Sequence, residues 1–251
     1  MRLGLPVFLD MPELADCMAL CEALGMDFVE LNKNLPQYAQ LTEPLPPYMK
    51  GKVTLHMDEP FDPWHFHPTI AKAHLQVLHE TLVWARDNKV NTLTLHMNDG
   101  VYFTLPEGKI NLQERYQDLY LQQTVALRQV AEQVTGPIVC IENAGRWTAI
   151  QQQAIELLLE SECFGLTWDI GHDARSGGVH GVFMQQHAQY VRHMHLHDNG
   201  PAGNHLPLGD GNTDLAKPLA FAQQHDLPVV IEVKTPDGLR KSINWLHERG
   251  Y

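Results

Sequence analysis

Residues Pro137–Asn143 spell PIVCIEN, an apolar run that closes on a carboxylate, Glu142, and an amide, Asn143. A run this short, bounded by a proline and rich in β-branched residues, predicts a buried strand. The same form recurs in Phe164–His172 (FGLTWDIGH), Tyr190–Asp198 (YVRHMHLHD) and Pro228–Lys234 (PVVIEVK). These bring Asp169, His195 and Glu232 to the corresponding point, the end of the strand. Parallel strands place their C-terminal ends on one face of a sheet or barrel. Two Glu, one Asp and one His at four such ends therefore point to a single shared site.

Outward from these runs, strands alternate with helical periodicity over the whole chain. Strands are expected at Leu3–Leu9, Phe28–Leu31, Val53–His56, Thr92–His96, Ile138–Glu142, Leu166–Asp169, Arg192–Leu196 and Val229–Val233. Helices are expected over Pro12–Leu24, Thr69–Asn88, Asn111 to Val134, Ala149–Glu160, Val182–Tyr190, Asp214 to His225 and Leu239–Arg249, with Asn111 and Asp214 as N-caps. Strands this apolar and this far apart suit a parallel sheet covered on both faces. Eight β/α units in 251 residues predict an α/β fold, the (β/α)8 TIM barrel. No composition break marks a second domain, so residues 1–251 are expected to form one barrel domain. Neither GxGxxG after the first strand nor GxxxxGK[ST] is present, so no nucleotide cofactor is indicated.

The balance of 18 basic against 30 acidic residues, net −12, argues against duplex nucleic acid and anionic membrane as partners. No stretch approaches the ~20 apolar residues of a membrane helix. Four cysteines without a CxxC pair argue against a thiolate zinc site and fit free thiols in a reducing cytoplasm. Histidine is abundant at 15. His56 and His96 also end strands, His172 follows Asp169 by three residues, and His205 lies in the loop after the seventh strand. Imidazole mixed with carboxylate suits Zn²⁺, Mn²⁺, Fe²⁺ or Co²⁺ better than Ca²⁺ or Mg²⁺. A divalent metal ion is expected. His197 is read as facing away from His195. Asp198 is read either as a partner that orients an imidazole or as a helix cap.

LTLHM (Leu93–Met97), IENAG (Ile141–Gly145), WDIGHD (Trp168–Asp173), HLHDN (His195–Asn199), HLPLGDG (His205–Gly211) and IEVK (Ile231–Lys234), in this order, resemble the xylose-isomerase-like TIM-barrel superfamily. That superfamily includes sugar (phosphate) isomerases and epimerases and the endonuclease IV type of abasic-site nuclease. The resemblance implies a mononuclear site of Glu142, Asp169, His195 and Glu232. The nuclease branch implies a second metal on His56 and His96 with Glu142 bridging. Its third metal would use His172, His205 and an Asp where this chain has Gly203, unless Asp198 or Asp210 substitutes. The nuclease's aromatic wedge and DNA-inserting Arg have no match here, and neither does the Arg with which the epimerases grip substrate.

Three readings stay open. The first is a metal-dependent isomerase or epimerase of a sugar or sugar phosphate acting through an enediolate, with Glu142 and Glu232 moving protons and His172 holding a hydroxyl. The second is a multinuclear phosphoester hydrolase, and the third a non-catalytic metal-binding barrel. The cations Lys33, Arg146, Arg175 and Lys234 follow strand ends and either hold a substrate phosphate or carboxylate or neutralise an acidic mouth. Trp64, Phe66, Tyr102, Phe103 and Trp147 either cover a sugar face or pack within loops. A homo-oligomer is compatible with the sequence.

Overall fold

The computed structural model describes all 251 residues. In chain order the strands are β1 (Arg2–Pro6), β2 (Phe28–Asn32), β3 (Val53–His56), β4 (Thr92–His96), β5 (Tyr102–Leu105), β6 (Gly108–Asn111), β7 (Ile138–Glu142), β8 (Phe164–Asp169), β9 (Val191–Leu196), β10 (Asp198–Gly200), β11 (Gly203–Leu206) and β12 (Pro228–Ile231). The helices are α1 (Leu14–Ala23), α2 (Pro36–Ala39), α3 (Pro68–Asp87), α4 (Leu112–Arg115), α5 (Gln117–Ala131), α6 (Ala149–Leu159), α7 (Ile170–Arg175), α8 (Gly181–Gln186), α9 (Ala216–Gln224) and α10 (Pro236–His247). Eight strands close a parallel barrel in the order β1-β2-β3-β4-β7-β8-β9-β12 and back to β1.

Period-two alternation divides each strand between two environments. Leu55, Leu93, Leu95, Val139, Ile141, Leu166, Val229 and Ile231 join the main apolar core together with helix residues such as Leu78, Leu127, Ile155 and Leu246. The residues between them face the barrel interior, which is mostly polar, with Cys140 and Val230 as apolar exceptions. Thr94 and Thr167, on strands separated by β7, share a hydrogen bond at 2.9 Å. Glu30 of β2 reaches His193 of β9 at 3.0 Å and accepts from Thr54 Oγ1 at 3.2 Å. A polar interior is stable only where its groups find one another, and these do. The floor is apolar: a Cβ on Gly4 would fall 2.3 Å from the Phe28 ring, so only glycine leaves room for that ring.

Local chemistry sets where the elements end. β1 stops at Pro6, short of the expected Leu9, because the chain turns over Phe8–Met11. Asn111 accepts from the N–H groups of Gln113 and Glu114, so it caps a helix as expected, but the expected long helix is two. It breaks at Tyr116, whose ψ of 53° is not helical, and α5 restarts behind it. Asp214 accepts from Ala216 N–H at 3.3 Å, yet Leu215 is the residue flanking α9. α10 begins three residues earlier than expected, where Thr235 accepts from Gly238 N–H. The hairpin of β5 and β6 was not expected. Seven of its eight strand residues are exposed, so no apolar alternation marks it.

Candidate metal centre at the barrel mouth

The C-terminal ends of β7, β8, β9 and the residue after β12 carry Glu142, Asp169, His195 and Glu232. Parallel register sets their height: His96 pairs with Glu142, and Asp169 with His195. One ligand atom from each of the four lies within 4.8 Å of all the others. His195 Nδ1 is 3.1 Å from Glu142 Oε1, 3.4 Å from Glu232 Oε2 and 4.0 Å from Asp169 Oδ2. Asn143 holds Asp169 in place by exchanging two 2.8 Å hydrogen bonds with its backbone, which gives the amide of IENAG a structural role.

His56 Nε2 and His96 Nε2 both meet Glu142 Oε2, at 3.1 and 2.9 Å. The other nitrogen of His56 lies 2.7 Å from the Met57 carbonyl and donates there, so Nε2 is the nitrogen that would be offered to an ion held beside Glu142. His195 is braced similarly, with Nε2 3.0 Å from Glu30 Oε1. An imidazole whose far nitrogen is tied to a carboxylate or carbonyl is fixed in ring orientation and tautomer, as metal-ligating histidines are. Sequence position gives Glu30 no role beyond its place near the end of the expected strand Phe28–Leu31. Its buried contacts with His193 and His195 make it the brace beneath the site.

A divalent cation fits this donor set. Three carboxylates crowd one imidazole, and Asp169 Oδ2 is buried without a hydrogen-bond partner. Buried like charges left uncompensated are strongly unfavourable, and a cation among them removes the conflict. Without one, protons take that role. Burial alone would raise the carboxyls of Glu142 and Glu232, but His195 beside both holds them well below the usual range. Burial alone would lower His195, but Glu142 and Glu30 hold it well above its ordinary value. His96 is likewise held at about 10, against burial, by Glu142 and Glu59.

These directions predict how stability varies with pH when divalent metal is chelated. The contribution of His96, whose folded value is raised, is complete below 6.5 and lost as pH rises toward about 10. That of Glu142 and Glu232, whose folded values are lowered, is complete above 4.5 and lost as pH falls below it. The melting temperature of the chelated protein should therefore fall on both sides of a plateau between these ordinary values. A melting temperature that is flat from pH 6.5 to 10 would contradict the ion pairs.

The mouth opens into a cavity of about 440 Å³ lined by His56, His96, Glu142, His172, His205 and Glu232 together with Asn32, Asn34, Asn98, Asp99, Glu59 and Lys234. Of the four cations expected nearby, only Lys234 lines it, 2.6 Å from Glu232 Oε1. Arg146 and Arg175 are exposed outside it. Lys33 is turned away and buried, donating to the Ala39 carbonyl at 2.7 Å. Neither expected tryptophan lines the cavity. Trp64 is 1 % exposed, stacks on Tyr120 and donates to Thr124 Oγ1 at 2.9 Å. Trp147 packs edge-on against His180 and Phe183. Phe66 meets Tyr116, and Tyr102 and Phe103 stand exposed on the hairpin.

The loop after β9 also departs from expectation. Asp198 accepts from the N–H groups of Asn199, Gly209, Gly211 and Thr213, so it organises the loop rather than an imidazole. A Cβ on Gly211 would fall 2.4 Å from its carboxylate, which explains the glycine of LGDG. Asp210 pairs with Lys241, so neither acid stands in at Gly203. His197 does not face away from His195. Residues two apart on a strand share a face, so His193, His195 and His197 form one inward column, all fully buried.

Residues 18–249 match the family described as xylose isomerase-like TIM barrel. The chain belongs to this family. No curated protein matches it in sequence. Among solved structures, it resembles a D-tagatose 3-epimerase-like protein, with 19% identity and a TM-score of 0.74 over 99% of this chain and 96% of that one. The 3-keto-D-glucoside 4-epimerase YcjR of E. coli aligns at 16% identity and TM-score 0.72, covering 99% of each chain. AsbF of Bacillus anthracis, a probable 3-DHS dehydratase, aligns at 14% identity and TM-score 0.73, covering 100% of each. At such low identity these likenesses establish the shared barrel, while the family match covers nearly the whole chain.

Proposed function

We propose that the chain is a divalent-metal-dependent isomerase or epimerase of an unphosphorylated sugar or sugar derivative, acting through an enediolate. The observation that carries this reading is the pair Glu142 and Glu232, which approach the same imidazole nitrogen from different strands, at 3.1 and 3.4 Å, and both border the cavity. A divalent ion held by Glu142, Asp169, His195 and Glu232 supplies Lewis-acid polarisation of a carbonyl. One of the two glutamates takes the proton from the carbon beside that carbonyl, and the other returns a proton. His172, on the cavity wall, holds a hydroxyl during the transfer.

The cavity wall supports a neutral substrate. Asn32, Asn34 and Asn98 offer amides suited to hydroxyl groups, and Glu59 and Asp99 add negative charge. Lys234 is already engaged by Glu232. A phosphate would meet repulsion here without a free cation to grip it. Incubation of the metal-loaded protein in ²H₂O with ketoses, with and without a terminal phosphate, tests the reading. Deuterium should enter the carbon beside the carbonyl of an unphosphorylated sugar. Exchange confined to sugar phosphates would contradict the charge argument, and exchange into no member of a broad panel would remove the reaction class.

A phosphoester hydrolase is the second reading, favoured by the contact of His56 and His96 with one oxygen of Glu142. That arrangement gives a second ion a place beside the first. The acidic rim opposes a polyanionic substrate, so hydrolysis of a phosphodiester panel is expected to be absent under the conditions that give exchange.

A further inference from the structure

A second cavity adjoins the metal cavity and differs from it in kind. It holds about 370 Å³ and is walled by Val7, Phe8 and Leu9 after β1, Leu35 after β2 and Val233 after β12. Phe8 and Val233 are buried, Leu35 is half-buried and Leu9 stands open. Asn32, Asn34, Glu232 and Lys234 border both cavities, so the two meet at one seam. On its β2 side the seam presents donors. Asn32 Oδ1 accepts from Asn34 N–H at 2.9 Å, and Asn34 Oδ1 accepts from Glu59 N–H at 2.9 Å. These bonds engage the oxygen end of each amide, and the NH₂ ends are left for a ligand. Charge has little to meet in the second cavity. Lys234 is paired with Glu232, Glu30 is paired with His193 and His195, and Asp10 is exposed.

We propose that the substrate is a keto sugar carrying an uncharged apolar group through an ether, glycosidic or ester oxygen. The sugar occupies the metal cavity and the apolar group the second one. This rests on the isomerase reading and names the substrate class of that site. A linking oxygen accepts hydrogen bonds and donates none, which matches two fixed amide donors at the seam. A free sugar reaching past the seam would set hydroxyls against Val7, Leu35 and Val233, where their bonds to water are lost without replacement. An alkyl or aryl group in the same place leaves water for apolar surface, which is favourable.

Calorimetry of the metal-loaded full chain with the methyl, n-butyl and phenyl glycosides of common hexoses tests this without turnover. Each buried methylene is worth roughly three- to fourfold in affinity, so for the sugar that fits, n-butyl should bind about 30- to 60-fold tighter than methyl. Leu35→Ser puts a favoured capping residue before α2, and Leu9→Ser alters an exposed side chain, so both variants should fold, as circular dichroism will verify. Each should shrink the butyl-to-methyl ratio. Asn34→Asp keeps the oxygen that accepts from Glu59 and loses the donor. It should weaken both glycosides by about 10-fold and preserve their ratio. Butyl and phenyl glycosides that bind no tighter than methyl ones, or a gain retained in full by both folded leucine variants, would overturn the proposal. Absence of deuterium exchange into ketoses would count against the isomerase reading and leave this binding contrast standing.

Discussion

Glu142→Gln and Glu232→Gln should each slow solvent-deuterium exchange into the substrate by about 10²- to 10⁴-fold, the usual contribution of a positioned acid or base. Glutamine keeps the length and one acceptor oxygen of glutamate but cannot accept a proton from carbon. Both positions are buried among partners that hold their carboxyls ionised, the form a base needs. Glu142 is 1 % exposed and Glu232 13 %, so the loss cannot be made good by a carboxylate drifting in from solvent. Each substitution also takes a negative charge from the cage, so metal content must be measured alongside. Exchange lost at full metal loading isolates proton transfer, and exchange at the wild-type rate in either variant would refute the assignment.

Glu30→Gln should raise the Kd for the cage metal by about 10- to 100-fold, the range found when the outer partner of a ligating imidazole is removed. Glu30 touches no part of the cavity lined by Glu142 and His172, so the effect must pass through His195. The carboxylate lies 3.0 Å from both His193 Nε2 and His195 Nε2. Burial would raise its pKa, yet those two imidazoles hold it far below the usual range. Ionised Glu30 fixes the tautomer that presents His195 Nδ1 to the cage. An amide can donate toward that nitrogen instead and favour the opposite tautomer. Titration of stripped protein by calorimetry measures the change, with circular dichroism to verify the fold. An unchanged Kd would remove Glu30 from the account.

The barrel was legible because each strand is a short apolar run ending on a polar residue, and parallel strands align such ends. The same logic gathered Glu142, Asp169, His195 and Glu232 from positions up to 90 residues apart, since 232 − 142 = 90. What stayed hidden depended on tertiary contact. Lys33 and Trp64 follow strand ends as functional residues do, and only the packing of Ala39 and Tyr120 against them shows that they are structural. Nothing local distinguishes Glu30 from any other strand-end acid, because His193 is 163 residues away. His197 could have been placed from the sequence. HMHLH alternates imidazole with apolar residues, and period two puts all three imidazoles on one face. The exposed hairpin of β5 and β6 lacks the apolar alternation on which strand recognition depends.

Diffraction from crystals grown with Mn²⁺, recorded at the manganese absorption edge, interrogates the cage itself. An anomalous peak should lie among Glu142, Asp169, Glu232 and the Nδ1 atom of His195, within ordinary coordination distance of all four. Crystals loaded to saturation that give no peak there, or a peak bonded to none of these side chains, would contradict the centre on which this account rests.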